Sequence, residues 1–152
     1  MDKKRKIEIV NKKARYEYHF LQSFEAGITL VGTEVKSIKA GNANLSDAYC
    51  LFINDELIIK SMFVAEYKFG NLNNHETRRD RKLLLRRQEL KKLDRRVREK
   101  GLTIVPYKIY LSERGFIKLE IALAQGKKSF DKRQTIKEKD LKKDMARLKK
   151  YT

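Results

Sequence analysis

The sequence predicts a mainly β domain with inserted helices, a small antiparallel barrel of Greek-key type followed by a basic C-terminal tail. Three observations predict this. Short apolar runs alternate with turn signals along most of the chain. Only two segments before Gly126 carry a helical pattern together with a stop signal. From Gly126 onward the composition shifts to eleven Lys/Arg against four Asp/Glu. The reading divides the chain into a basic N-terminal extension (1–8), a barrel with two helices (9–126) and a basic tail (127–152).

Residues 16–31 place Tyr16, Tyr18 and Phe20 on one parity, which predicts a long strand, with Gly27 free to bend it. Gly32-Thr33-Glu34-Val35-Lys36-Ser37-Ile38-Lys39-Ala40-Gly41 follows. Thr33 suits an N-cap and Gly41 a C-terminal stop, so this is a short helix showing Lys36 and Lys39 to solvent. Two apolar runs, 48–53 and 57–61, flank Asn54-Asp55-Glu56 as a hairpin, and 62–69 holds another short strand. Residues 70–80 are polar, with Asn71, Asn73, Asn74, His75, Arg78 and Arg79, and read as a surface loop. The spacing of Leu83, Leu90, Leu93 and Val97 predicts a helix over 83–100, ended by Gly101. Runs 102–111 and 116–124 flank Ser112-Glu113-Arg114-Gly115 as a second hairpin, and Pro106 marks an edge or a bulge. About six antiparallel strands with strong positive charge point to a barrel of OB-fold type.

The tail carries its own start signal. Thr135-Ile136-Lys137-Glu138 matches a capping box, and Leu141, Met145 and Leu148 fall at helical spacing. A helix this short and this charged is marginal alone. The expectation is a tail disordered in isolation and helical once a polyanion screens its charges. Phe130, set among those charges, offers a ring for base stacking.

The formal charge of +17 favours an anionic partner and speeds encounter with it. No apolar run is long enough to span a membrane, and 7–10 is too short for a signal-peptide core. The single cysteine, Cys50, sits in Tyr49-Cys50-Leu51-Phe52-Ile53 and reads as a small buried hydrophobe, which fits a reducing, cytoplasmic location. There is no phosphate-binding Gly-rich loop, no dinucleotide fingerprint, no Cys-x-x-Cys and no paired carboxylate. The expectation is a non-enzymatic protein with no cofactor and no metal. His19 alternates within a strand and suits a structural or surface role, while His75 lies in a polar loop, open to a nucleic-acid contact or a metal.

Two features stand out. In Leu83-Leu84-Leu85, a helix that turns Leu83 inward rotates Leu84 about 100° away. Leu84 then either packs under a loop or makes an apolar contact beside Arg81, Lys82, Arg86 and Arg87 on a nucleic-acid face. Glu25 and Glu34, near Lys36 and Lys39, are either solvated charges or acceptors for base amino groups.

Several blocks resemble one family in order. They are Asn11-Lys12-Lys13-Ala14-Arg15, Phe24-Glu25-Ala26-Gly27-Ile28, Gly32-Thr33-Glu34-Val35-Lys36-Ser37, Ala40-Gly41-Asn42-Ala43-Asn44-Leu45, Arg81-Lys82-Leu83-Leu84-Leu85, Lys100-Gly101-Leu102-Thr103-Ile104-Val105-Pro106, and Gly126-Lys127-Lys128 with Asp131-Lys132-Arg133. Each block is weak, but the set resembles the SmpB (SsrA-binding protein) family of bacterial trans-translation. The resemblance implies a barrel that grips the tRNA-like domain of transfer-messenger RNA, one protein per RNA, and enters stalled ribosomes without chemistry of its own. With the charge pattern, it makes Asn11, Glu25, Glu34, Lys36, Lys39, Asn44, Arg81, Lys82, Leu84, Lys118, Lys127 and Lys128 the RNA-binding candidates. It implies that Phe130-Asp131-Lys132-Arg133 lies near the small-subunit decoding centre, with the tail in the empty message channel. Relatives carry His or Tyr where this chain has Phe130, so stacking survives there while hydrogen bonding and titration do not. A cold-shock-type single-strand-binding barrel and a structural ribosomal protein share the charge and are the competing readings.

Overall fold

The computed structural model describes residues 7–70, 74–99 and 101–127. In chain order these form β1 (Glu8–Val10), α1 (Lys12–Glu17), β2 (Tyr18–Ile28), α2 (Gly32–Lys39), β3 (Ala43–Asn44), β4 (Tyr49–Ile53), β5 (Glu56–Lys60), β6 (Phe63–Val64), β7 (Arg81–Leu84), α3 (Arg87–Val97), β8 (Leu102–Leu111) and β9 (Ile117–Gly126). Seven strands pair antiparallel in the order β1-β8-β9-β2-β7-β5-β4, and β3 pairs with β6 separately. Cα atoms of β4 return within 8 Å of β8, so the sheet curls back on itself. The expected antiparallel architecture with inserted helices is present.

Strand alternation builds the core. Phe24 and Ala26 of β2, Leu57 and Ile59 of β5, Leu83 of β7, Ile104 and Ile109 of β8, and Leu119, Ile121 and Leu123 of β9 point to one interior. Ile38 of α2 and Leu93 of α3 pack into it, with Leu90 and Val97 flanking. The β4–β5 turn has two residues, Asn54 and Asp55, with φ of 50° and 64°. Positive φ at both positions matches the twist of a tight hairpin, and Asn and Asp tolerate it. Helix α2 stops at Gly41, φ 81°. Asn42 N–H donates to Ser37 O and Gly41 N–H to Ile38 O, each at 2.9 Å, which satisfies the last carbonyls.

Four expectations are corrected. The strand over 16–31 begins only at Tyr18, because Lys12–Glu17 is helical and buries Ala14 against Val105 and Ala124. The aromatic parity that included Tyr16 imitated a strand period inside a helical turn. The helix over 83–100 is a strand, β7, followed by the shorter α3. Arg86 caps α3, its N–H donating to Glu89 Oε1 at 3.2 Å, so Leu83 belongs to the sheet and not to the helical stripe. Thr33 is not the N-cap of α2; Val31 is, and its N–H donates to Glu34 Oε1 at 2.9 Å. Finally, 62–69 contributes only the two-residue β6. Pro106 does sit at a bulge, where the register slips between Pro106 and Lys108.

Candidate nucleic-acid interface

The outward face of the sheet brings distant residues together by register. Glu8, Tyr110, Lys118, Gly27 and Leu84 form one cross-strand row, and Val10, Lys108, Glu120 and Glu25 form the next. Three candidates far apart in sequence, Glu25, Leu84 and Lys118, therefore share one surface. Leu84 is 52% exposed while Leu83 is 1% exposed, an inversion set by strand alternation and not by helical rotation. Gly27 permits the seat: a Cβ there would lie 3.2 Å from Leu84 Cβ. Close approach, not bending, is what this glycine supplies. Beside Leu84 a shallow groove of about 290 Å³ is lined by Ile28, Leu30, Val35, Phe116 and Lys118.

The charges on this face are arranged. Lys118 forms no ion pair with a described residue. Glu25 and Glu120 lie directly opposite each other, an arrangement that costs stability unless a donor or cation intervenes. Burial and the neighbouring Glu25 and Glu120 carboxylates push the Tyr110 phenol well above the ordinary range. Tyr110 thus keeps its proton beside these carboxylates. Lys108 Nζ lies 3.3 Å from Glu8 Oε1. A lysine, an apolar groove and a carboxylate stand within one surface, a set chemically able to meet phosphate, ribose or base, and an amino group. Sequence reasoning missed Tyr110 and Phe116, since only the β8–β9 register places them here.

A second constellation is internal. Glu34 and Arg81 are both 0% exposed and paired. Arg81 Nε donates to Glu34 Oε2 at 2.5 Å and Nη1 to Met62 O at 2.7 Å, while Arg79 Nη2 donates to Glu34 Oε1 at 2.6 Å. Burial pushes the Glu34 carboxyl up. Hydrogen bonds from Arg79, Val31 N–H and Arg81, with the Arg81 charge, outweigh that and hold it below the ordinary range. Burial pulls the Arg81 guanidinium down, opposed by Glu34. Neither side chain presents a polar atom to the surface; Glu34 and Arg81, expected as RNA contacts, stand here as a lock joining α2, β7 and the 74–80 connection. His75 belongs to this lock and not to a surface: buried, its Nε2 lies 2.9 Å from Val64 O and its Nδ1 2.8 Å from Thr33 Oγ1. With Nε2–H donating to the carbonyl, Nδ1 is left to accept from the Thr33 hydroxyl.

Asn11, also expected as an RNA contact, is buried as well. It is 7% exposed, and its Nδ2 donates to Pro106 O at 3.1 Å and Leu45 O at 3.4 Å, tying the β8 bulge to the connection after β3. Its Oδ1 has no partner among the described residues. Asn44 is exposed, but its Oδ1 accepts from Ser46 N–H at 2.7 Å and from the Ser46 hydroxyl, so it builds a turn. Lys82, outward on β7, pairs with Glu56 Oε1 at 3.1 Å. Lys36 and Lys39 are exposed on α2, whose Val35 lines the groove beside Lys118. Lys127 N–H donates to Glu17 O at 2.8 Å, anchoring the start of the tail to the end of α1. Lys128, Phe130, Asp131, Lys132, Arg133 and the capping box at Thr135 lie outside the described residues. Cys50 is buried and its thiol pushed far up by burial. Among the described residues no cluster of His, Cys, Asp and Glu suits a metal, and no helix is long and apolar enough to cross a membrane.

A curled antiparallel sheet whose outer face sets Lys118 beside an apolar groove, in a chain of charge +17, suits a module for binding a polyanion. Comparison with known proteins gives the lineage. The family model for SmpB protein matches residues 8–151. An SsrA-binding protein of Cytophaga hutchinsonii is 52% identical over 142 residues, covering 93% of this chain and 93% of the relative. Its counterpart in Bacteroides thetaiotaomicron is 49% identical over 142 residues, covering 93% and 95%. A chain in the solved structure "tmRNA-SmpB: a journey to the center of the bacterial ribosome" is 44% identical, with a TM-score of 0.68 over 81% of this chain and 86% of that one. The chain belongs to the SmpB family.

Proposed function

We propose that this chain is an RNA-binding adaptor, acting in the cytoplasm without catalysis, that holds the tRNA-like domain of transfer-messenger RNA and carries it into stalled ribosomes. The observation that carries this reading is the outer-face register that unites Glu25, Leu84 and Lys118 beside an apolar groove. Family membership supports the partner: the relatives are named for binding SsrA, and the similar solved structure concerns tmRNA, SmpB and the bacterial ribosome. In this reading residues 9–126 grip the RNA and 127–152 probe the ribosome. Lys118 meets phosphates, with Lys36, Lys39 and Lys82 as further cations; Leu84 packs on a sugar or base; Glu25, beside Tyr110, selects an amino group.

Two leucines test the face assignment. Leu84→Ala weakens binding to the tRNA-like domain and leaves the melting temperature unchanged, because Leu84 contributes little to the core. Leu93→Ala, at a fully buried site, costs about 2–5 kcal/mol of stability. Thermal melts beside RNA titrations check both, and equal melting losses contradict the assignment. The function itself is tested in reconstituted translation on a message lacking a stop codon. Release of stalled ribosomes requires both transfer-messenger RNA and this protein, and release without the protein contradicts the proposal.

A further inference from the structure

The most exposed large apolar side chain among the described residues lies off the sheet face. It is Phe69, 71% exposed, on the connection after β6. Its ring meets the edge of Tyr67 at 5.6 Å between centroids, with planes at 71°. Lys36 Nζ of α2 stands 5.2 Å from the Tyr67 centroid, and Lys68 Nζ 5.8 Å from that of Phe69.

The backbone that carries these rings is clamped. Asn74 Oδ1 accepts from Tyr67 N–H at 2.9 Å, and Asn74 Nδ2 donates to Tyr67 O at 2.8 Å. Gly70 N–H donates to the same carbonyl at 2.9 Å. Gly70 is packed so closely that a Cβ there would lie 2.6 Å from Asn74 Nδ2. Behind it, His75 ties Thr33 of α2 to Val64 of β6. An exposed ring is ordinary on a loop, but here the backbone under it is hydrogen-bonded on both sides of Tyr67 and an ammonium group stands against each ring.

We propose that Tyr67 and Phe69 form a stacking platform for one unpaired RNA base, with Lys36 and Lys68 taking the phosphates on either side. An aromatic face binds any base through its π surface, and adjacent ammonium groups hold the backbone. The two ammonium groups against the rings, with one carboxylate at Glu66 beside them, favour an anionic occupant over a basic peptide or a quaternary ammonium ligand. The proposal rests on the RNA-binding reading above and adds a second contact region, joined to the sheet face through α2. The unpaired base belongs either to the tRNA-like domain or to ribosomal RNA.

The full chain is titrated with the tRNA-like domain and, separately, with small ribosomal subunits. Phe69→Ala weakens binding to one of them about five- to hundredfold. Phe69→Tyr stays within about twofold, since the stacking face is kept. Phe69→Ala also keeps the parent's melting temperature, because the ring is exposed. Lys36→Ala lowers the salt slope of the affected complex by about 0.7–0.9, one phosphate contact. Whichever RNA shows the loss is the source of the base. If Phe69→Ala binds both partners as tightly as the parent, the platform is overturned while RNA binding stands. If the parent binds neither, the RNA-binding reading itself falls, and the platform with it.

Discussion

Arg81→Ala lowers the melting temperature by on the order of 10 °C or more. Removing the guanidinium leaves Glu34 buried at 0% exposure with the partly exposed Arg79 as its remaining cation, and breaking one partner of a buried pair costs about 3–5 kcal/mol. Met62 O loses its donor as well, so the 74–80 connection and β6 loosen together. Glu34→Ala acts through the same lock and also strips the Val31 N–H at the start of α2. The double change Glu34→Met with Arg81→Leu recovers part of the loss, because neither charge is then stranded. The pair also sets an acid limit. Glu34 has a folded-state pKa below its ordinary value of 4.5, so its contribution is complete above that value. It is lost as pH falls from 4.5 through the lower folded value. Thermal melts of Arg81→Ala and the parent at neutral pH, and of the parent from neutral to acid pH, check both statements. Melting of Arg81→Ala within 2 °C of the parent contradicts a structural role, with that tolerance about the shift from 0.5–1 kcal/mol.

Truncation after Lys127 abolishes rescue of stalled ribosomes while the tRNA-like domain still binds. The cut removes ten Lys/Arg and four Asp/Glu, a net loss of +6, and keeps the Lys127 N–H bond to Glu17 O. Lost steering weakens RNA binding only several-fold, because Glu25, Leu84 and Lys118 remain. Within the tail, Phe130→Tyr is tolerated and Phe130→Ala is not, since stacking on one base is worth about 1–3 kcal/mol. A reconstituted rescue assay beside an RNA titration separates the two effects. Loss of RNA binding in proportion to loss of rescue contradicts a division between grip and probe.

Much of the sheet was legible because its strands are bounded by strong turn chemistry. Asn54-Asp55 and Gly115 mark the two hairpins, Gly41 the end of α2, and Pro106 a bulge, whereas α3 ends at Val97, ahead of the stop expected at Gly101. Leu83-Leu84-Leu85 was misread because three leucines serve a strand or a helix equally; the Arg86–Glu89 cap decides where α3 begins. Leu84 nevertheless emerged outward, since both periods invert neighbours. Glu34 and Arg81 showed no sign of mutual burial, because a pair 47 positions apart leaves no local pattern. The same limit hid His75: a polar loop sequence gave no hint that its imidazole joins two elements. Tyr110, Phe116 and the Tyr67–Phe69 edge contact depend on register and on the Asn74 clamp, neither of which spacing alone reveals.

The central claim is recognition of a folded tRNA-like RNA by a preformed outer face. It is tested most directly by competition. Labelled tRNA-like domain bound to the full chain is challenged with unlabelled tRNA-like domain or with unstructured RNA of equal length, at matched salt. The account predicts that the unstructured RNA competes far more weakly, and that Glu25→Ala narrows the gap. Equal competition by the two RNAs contradicts it and identifies the chain as a general single-strand binder.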